Sequence, residues 1–349
     1  LANPHFRDFI LSYPALPPMK TPSVKVVSAF LIGAVAALAI AQTSQPAASS
    51  GSTATPAPAA ASASASSTAA RARGGRGGMG NVPQTSKIVA ARLENTPRHR
   101  EFITVEHDGR KVQCFIVYPE VKGKAPAVML IHEIFGLSDW MRATADQVAE
   151  NGCIAIEPDL LSGMGPNGGG TSAYPSLDAI TGAVSGLPAK QVTDDLNAVY
   201  DYVKKLDACN GNISVAGFCW GGGKAFDYAA TNKELKAAFV FYGRANASSD
   251  LTKIACPVYG FYGEMDNNIT PSVARTTADM KTAGKTYEPV TYAGAGHGFM
   301  REGVMDTIAN PANKTAAEDA WKRWIPLLAK VNAPADSATA KPAAASATK

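Results

Sequence analysis

The sequence predicts an α/β fold, a mainly parallel sheet covered by helices on both faces. Three observations predict it. Compact apolar runs at 127–131, 153–157, 213–218, 237–241 and 258–262 lack the alternation of a half-solvated strand, so they suit strands buried on both sides. Stretches with helical spacing lie between them, the pattern of strands joined by covering helices. Glu133, Cys219, Asp266 and His297 each fall just after a strand-like run, where sites gather in this architecture.

The front end does not read as domain material. Met19-Lys20, Lys25 and the apolar run from Val26 to Ala41 form a basic and then a hydrophobic region, and Ala39-Ile40-Ala41 before Gln42 fits a small-x-small cleavage rule. Residues 1–41 are therefore expected to be an extension and signal peptide. The alternative is an uncleaved membrane tether, although the run is near the short end for a span. Residues 42–96, rich in Ala, Ser and Pro and then in Arg and Gly, offer too little apolar surface to offset ordering and read as a disordered linker. Residues 331–349 read as a disordered tail.

The net charge of +4 does not mark the domain as basic. Six basic residues against one acidic residue lie within 1–80, and the remainder is close to neutral. No nucleic-acid partner is expected on this basis.

The expected domain spans 97–330. Residues 101–106 and 111–118 form the arms of a hairpin around Asp108-Gly109. A helix is expected over 140–150, ended by Asn151-Gly152. The glycine-rich stretch 162–186 reads as loop with one short helix. Val192, Leu196, Val199, Val203 and Leu206 make a helical stripe. Helices are also expected over 221–230, 271–283 and 313–329, with a strand over 287–292.

Five cysteines stand at 114, 153, 209, 219 and 256, an odd number without a CxxC. They give no zinc signature. Cys114, Cys153 and Cys256 read as small core residues, and Cys209 with Cys256 is a candidate disulfide. Cys219 differs because it lies in Gly217-Phe-Cys219-Trp-Gly221, between a strand and a helix. That is the setting of a nucleophile elbow, with helix-start amides facing the reacting centre. A buried small hydrophobe is the bland alternative.

His297, in Gly294-Ala-Gly-His297-Gly-Phe, is the candidate proton carrier, and Asp266, in Gly263-Glu-Met-Asp266, the carboxylate that orients it. Glu264 competes with Asp266 for that role. Glu133, in His132-Glu133-Ile-Phe-Gly-Leu, is an additional carboxylate whose charge would disfavour a neighbouring thiolate. The backbone amides of Ile134 and Trp220 are the candidate oxyanion hole. Position 136 is glycine, so His132-Glu133 does not open an HExxH zinc motif. No metal or organic cofactor is expected.

Together, HEIFGL, GFCWGG, GEMD and GHGF resemble the dienelactone hydrolase family, carboxymethylenebutenolidases of the α/β-hydrolase superfamily, over about 98–330. The resemblance implies an α/β-hydrolase fold. It also implies that Cys219 attacks a carbonyl, His297 relays protons, Asp266 orients His297, and Glu133 gates the nucleophile by keeping the resting thiol neutral. Arg301 fits one of two family arginines that recognise a substrate carboxylate. The second is missing, because residues 162–189 contain no arginine. Phe135, Tyr174 and Phe299 are further candidate substrate-binding residues.

The expected function is cysteine-dependent opening of a small lactone or cleavage of a small ester, by a periplasmic or secreted protein for which a monomer is favoured and the oligomeric state is left open. Two alternatives stand beside it: a broad carboxylesterase for neutral, aryl or short polyester esters, and a noncatalytic envelope ligand-binding protein with a hydrolase fold.

Overall fold

The computed structural model describes residues 85–332. The expected signal peptide, most of the linker and residues 333–349 of the tail lie outside the described residues.

Eight strands form one sheet in the order β1-β2-β4-β3-β5-β6-β7-β8. They are β1 (Arg100–His107), β2 (Arg110–Val117), β3 (Ala125–Ile131), β4 (Ile154–Pro158), β5 (Cys209–Phe218), β6 (Ala238–Phe241), β7 (Val258–Gly263) and β8 (Tyr287–Tyr292). The β1–β2 hairpin turns at Asp108-Gly109 and is antiparallel, as is the β2–β4 pairing. The pairings from β4 through β3, β5, β6 and β7 to β8 are all parallel.

Burial follows strand position. In β6 and β7 every residue is buried, because helices cover both faces and leave no side for polar residues. Edge strands β1 and β8 alternate in exposure, since their outer side chains meet water.

Two apolar cores lie on opposite sides of the sheet. One gathers α3 (Leu177–Ser185), α4 (Ala189–Lys204), α5 (Trp220–Thr231) and α6 (Val273–Thr282) through Ile180, Leu196, Phe226 and Met280. The other gathers α1 (Lys87–Asn95), α2 (Asp139–Glu150), α7 (Phe299–Glu302) and α8 (Pro311–Asn332) through Val89, Met141, Phe299 and Trp324. The chain leaves β3 towards β4 and returns on the other side of β3 as β5, so strand order reverses there. A crevice at the carboxyl ends of β3 and β5 is the consequence.

The linker reading does not hold at 85–96, where α1 forms and docks. Ser86 caps α1 by accepting from the Val89 amide. Val89 is its one buried helical residue, while Ile88 is exposed, so no apolar stripe announces the helix. Charge holds it instead: Arg92 and Arg98 both reach the buried carboxylate of Asp146. The candidate Cys209–Cys256 disulfide is also absent, and both thiols are free. The four-residue α7 was not anticipated.

Candidate active site

The loops after β3, β5, β6, β7 and β8 supply the site. Strand β5 ends at Phe218, and α5 begins at Trp220. Cys219 alone makes the turn, at φ 55° and ψ −116°. A non-glycine residue in this region carries strain on the order of 1–3 kcal/mol, retained only where its surroundings enforce it. The enforcement is visible. A Cβ on Gly217 would lie 2.0 Å from the Gly221 carbonyl oxygen, and one on Gly221 would lie 2.3 Å from that of Ile131. The Cys219 amide donates to the Phe241 carbonyl at 3.0 Å, which locks the turn to the end of β6.

His297 lies in the loop between β8 and α7. Its Nε2 is 3.0 Å from Cys219 Sγ, and its Nδ1 is 2.6 Å from Asp266 Oδ2. Asp266 is buried after β7, and its other oxygen accepts the amides of Asn268 and Ile269 at 3.2 and 3.1 Å. Those amides aim the carboxylate; the carboxylate holds the ring through Nδ1–H and leaves Nε2 facing the Cys219 sulfur, where the two share a proton. Burial alone would lower the His297 pKa. The hydrogen bonds and charges of Cys219 and Asp266 outweigh it and push the imidazole up to about 9. Glu264 does not compete for the histidine, since its carboxylate accepts the Gly294 amide at 2.8 Å.

Glu133, at the end of β3, is only 2% exposed. Both carboxylate oxygens are engaged: Tyr242 Oη donates to Oε1 at 3.2 Å, and Arg301 Nε donates to Oε2 at 2.9 Å. Burial raises the Glu133 pKa, and the Arg301 charge opposes that rise. Tyr242 is a site residue that sequence reasoning missed, because it simply continues the apolar run of β6. It is fully buried at φ 40°, and it meets the His297 ring edge to face, with centroids 5.2 Å apart.

The other expected site residues divide. No backbone carbonyl takes the amide of Ile134 or of Trp220 among the described residues, which leaves both amides able to receive an oxyanion. The Trp220 indole stacks on buried His132 at 5.6 Å. Phe135 lies beneath the Arg301 guanidinium, 4.8 Å from its ring centroid.

Arg301 is not an unengaged cation: besides Glu133 it contacts Glu302 at 2.8 Å. Phe299 is a core residue rather than a pocket wall. It is fully buried and packs against Tyr242 and Tyr292 at 5.3 and 5.2 Å, because the short turn of α7 points it into the sheet. Tyr174 spends its hydroxyl on the Met164 carbonyl at 3.1 Å.

Comparison with known proteins places the chain in a family. The family model described as the dienelactone hydrolase family matches residues 112–332. A protein of Escherichia coli O157:H7 named "Putative carboxymethylenebutenolidase" is 30% identical over 237 residues, covering 64% of this chain and 84% of its own. A Klebsiella pneumoniae structure named "Putative Dienelactone Hydrolase" superposes with TM-score 0.59 at 25% identity, covering 67% of this chain and all of that one. A dienelactone hydrolase-like promiscuous phosphotriesterase from metagenomic libraries shares the fold. Its TM-score is 0.58 at 18% identity, over 68% of this chain and 99% of its own.

Proposed function

Because this chain belongs to the dienelactone hydrolase family, we propose that it opens a small lactone or cleaves a small ester through an acyl-thioester on Cys219. One observation carries this reading: a single imidazole reaches the Cys219 sulfur with Nε2 and a buried carboxylate with Nδ1. His297 takes the thiol proton as sulfur attacks the substrate carbonyl carbon. The carbonyl oxygen becomes an oxyanion held by the amides of Ile134 and Trp220. The tetrahedral adduct collapses, the bond to the leaving oxygen breaks, and His297 returns its proton to that oxygen. Water deprotonated by His297 then attacks the thioester, releasing the acid and restoring the thiol. Asp266 holds the ring throughout and offsets its positive charge.

Glu133 governs the nucleophile in this reading. Its negative charge disfavours a neighbouring thiolate and keeps the resting thiol neutral, until substrate binding rearranges the loop after β3. The engaged state of Arg301 also supports a second reading, a broad carboxylesterase for neutral esters, because an anionic substrate must compete with Glu133 and Glu302 for the guanidinium.

Trapping with an activated ester followed by peptide mass spectrometry tests the main reading. An acyl group on Cys219, absent in Cys219→Ala, is expected, and acylation elsewhere with full turnover by that variant would sink it. A panel of acidic lactones against neutral esters separates the two substrate classes. We also propose export, resting on residues 19–41; N-terminal sequencing of the mature protein should begin at Gln42.

A further inference from the structure

One side chain touches both residues whose amides face the expected oxyanion. His132, the first residue after β3, is fully buried. Its Nδ1 donates to the Glu133 carbonyl at 2.8 Å, and the Gly136 amide donates to the same oxygen at 3.1 Å. Its ring lies nearly parallel to the Trp220 indole, with 12° between planes and 5.6 Å between centroids. The His132 carbonyl also presses on the elbow, since a Cβ on Gly221 would lie 2.5 Å from its oxygen.

These contacts set directions. The Glu133 carbonyl and the Ile134 N–H belong to one planar trans peptide and point opposite ways. Two donors that hold the oxygen therefore fix the heading of the N–H. On the other side of the hole, the Trp220 N–H opens α5, and the stacked imidazole restrains the residue that carries it. An oxyanion hole is effective only when its donors are aimed before the charge develops.

Packing alone does not explain a histidine at this place. Its Nε2 meets no hydrogen-bond partner among the described residues, and a buried polar atom left unpaired costs stability. An apolar ring would avoid that cost but could not hold the Glu133 carbonyl. Burial keeps the imidazole below its ordinary pKa, so the ring is neutral and carries its single proton on Nδ1.

We propose that His132 is a positioning residue for the oxyanion hole, aiming the Ile134 amide through the Glu133 carbonyl and seating Trp220 by stacking. The proposal rests on the hydrolase reading and deepens it. It concerns the backbone of Glu133, apart from the side chain that gates the thiol.

Two variants separate the two contacts. His132→Phe keeps a stacking ring and loses the donor, while His132→Asn loses the ring and keeps a donor close to the place of Nδ1. Two reactions of the same sulfur are then compared, each located on Cys219 by peptide mass spectrometry. Acylation by p-nitrophenyl acetate passes through an oxyanion. Alkylation by iodoethanol displaces iodide from a saturated carbon and forms none. His132→Phe should slow acylation and kcat by about tenfold to a hundredfold, less than outright removal of a donor. KM and the alkylation rate should stay close to the wild type, the mark of an interaction made only in the transition state. His132→Asn should recover most of the acylation rate.

Equal slowing of both reactions overturns the proposal, as does unchanged acylation in a His132→Phe variant that melts normally. A His132→Asn variant as slow as His132→Phe overturns the link through the Glu133 carbonyl. If His132→Phe does not fold, His132→Leu gives the same comparison. Wild-type Cys219 that is alkylated but never acylated would instead defeat the hydrolase reading itself, and this proposal would fall with it.

Discussion

Arg301 Nε donates to Glu133 Oε2 at 2.9 Å across 168 residues of sequence, joining the loop after β3 to α7. The carboxylate is buried and the guanidinium mostly so. Removing one partner would strand a charge in low dielectric, at about 3 kcal/mol. Arg301→Ala should therefore lower the denaturant midpoint, and adding Glu133→Gln should recover part of the loss. Additive effects in that double-mutant cycle would show that the pair is not coupled.

Asp266 selects the histidine tautomer, and Asp266→Asn removes that selection while leaving a side chain of similar shape. The expected loss in kcat is on the order of 10⁴-fold, the scale of the same change in a Ser-His-Asp arrangement. Steady-state kinetics with a chromogenic ester measures it. A loss below about tenfold would point to a different partner for His297.

His297 is held up to about 9, with Cys219 as the largest raising influence. Imidazole proton resonances should titrate near that value in the wild type and fall towards the ordinary histidine value of about 6.5 in Cys219→Ala. The folded value lies above the unfolded one, so the stabilisation is complete below about pH 6.5 and is lost as pH rises through about 9. An unchanged titration in Cys219→Ala would mean that the thiol does not act on the ring.

Gly217→Ala probes the elbow without touching a reactive group. Its Cβ would sit 2.0 Å from the Gly221 carbonyl oxygen, and relieving that overlap means moving backbone. A cost of about 2 kcal/mol or more is expected, read as a lower denaturant midpoint with unchanged slope, together with slower Cys219 alkylation.

Asp146 is the anchor of α1. Burial would raise its pKa, but hydrogen bonds from Arg98, Thr96 and Arg92 outweigh burial and hold it below the ordinary carboxylate range. Its contribution is therefore present above the unfolded value of about 3.9 and is lost as pH falls through the lower folded value. Asp146→Asn should cost about 2 kcal/mol at neutral pH and flatten the acid limb of a stability–pH curve.

Much of this molecule could be read along the chain, and the failures share a cause. The buried strands and the stripe on α4 follow from periodicity, which local composition carries. The elbow was legible at Cys219 because glycines at 217 and 221 state where backbone must approach backbone. Helix α1 was not legible: Val89 is its one buried residue, and its docking depends on Asp146, about fifty residues away. Tyr242 was hidden for a similar reason, since only a positive φ and a partner from another strand separate it from the run before it.

The sequence by itself determined the strand and helix alternation, the order of Cys219, Asp266 and His297, and their placement at strand ends, because each depends on neighbours within a few residues. Only the tertiary structure decided which atoms face one another. It turned Glu133 towards Arg301 and Tyr242, buried Phe299 in the core, and brought α1 against the buried carboxylate of Asp146. Charge pairing and close packing act through space between residues far apart in the chain, and no local pattern records such a partner.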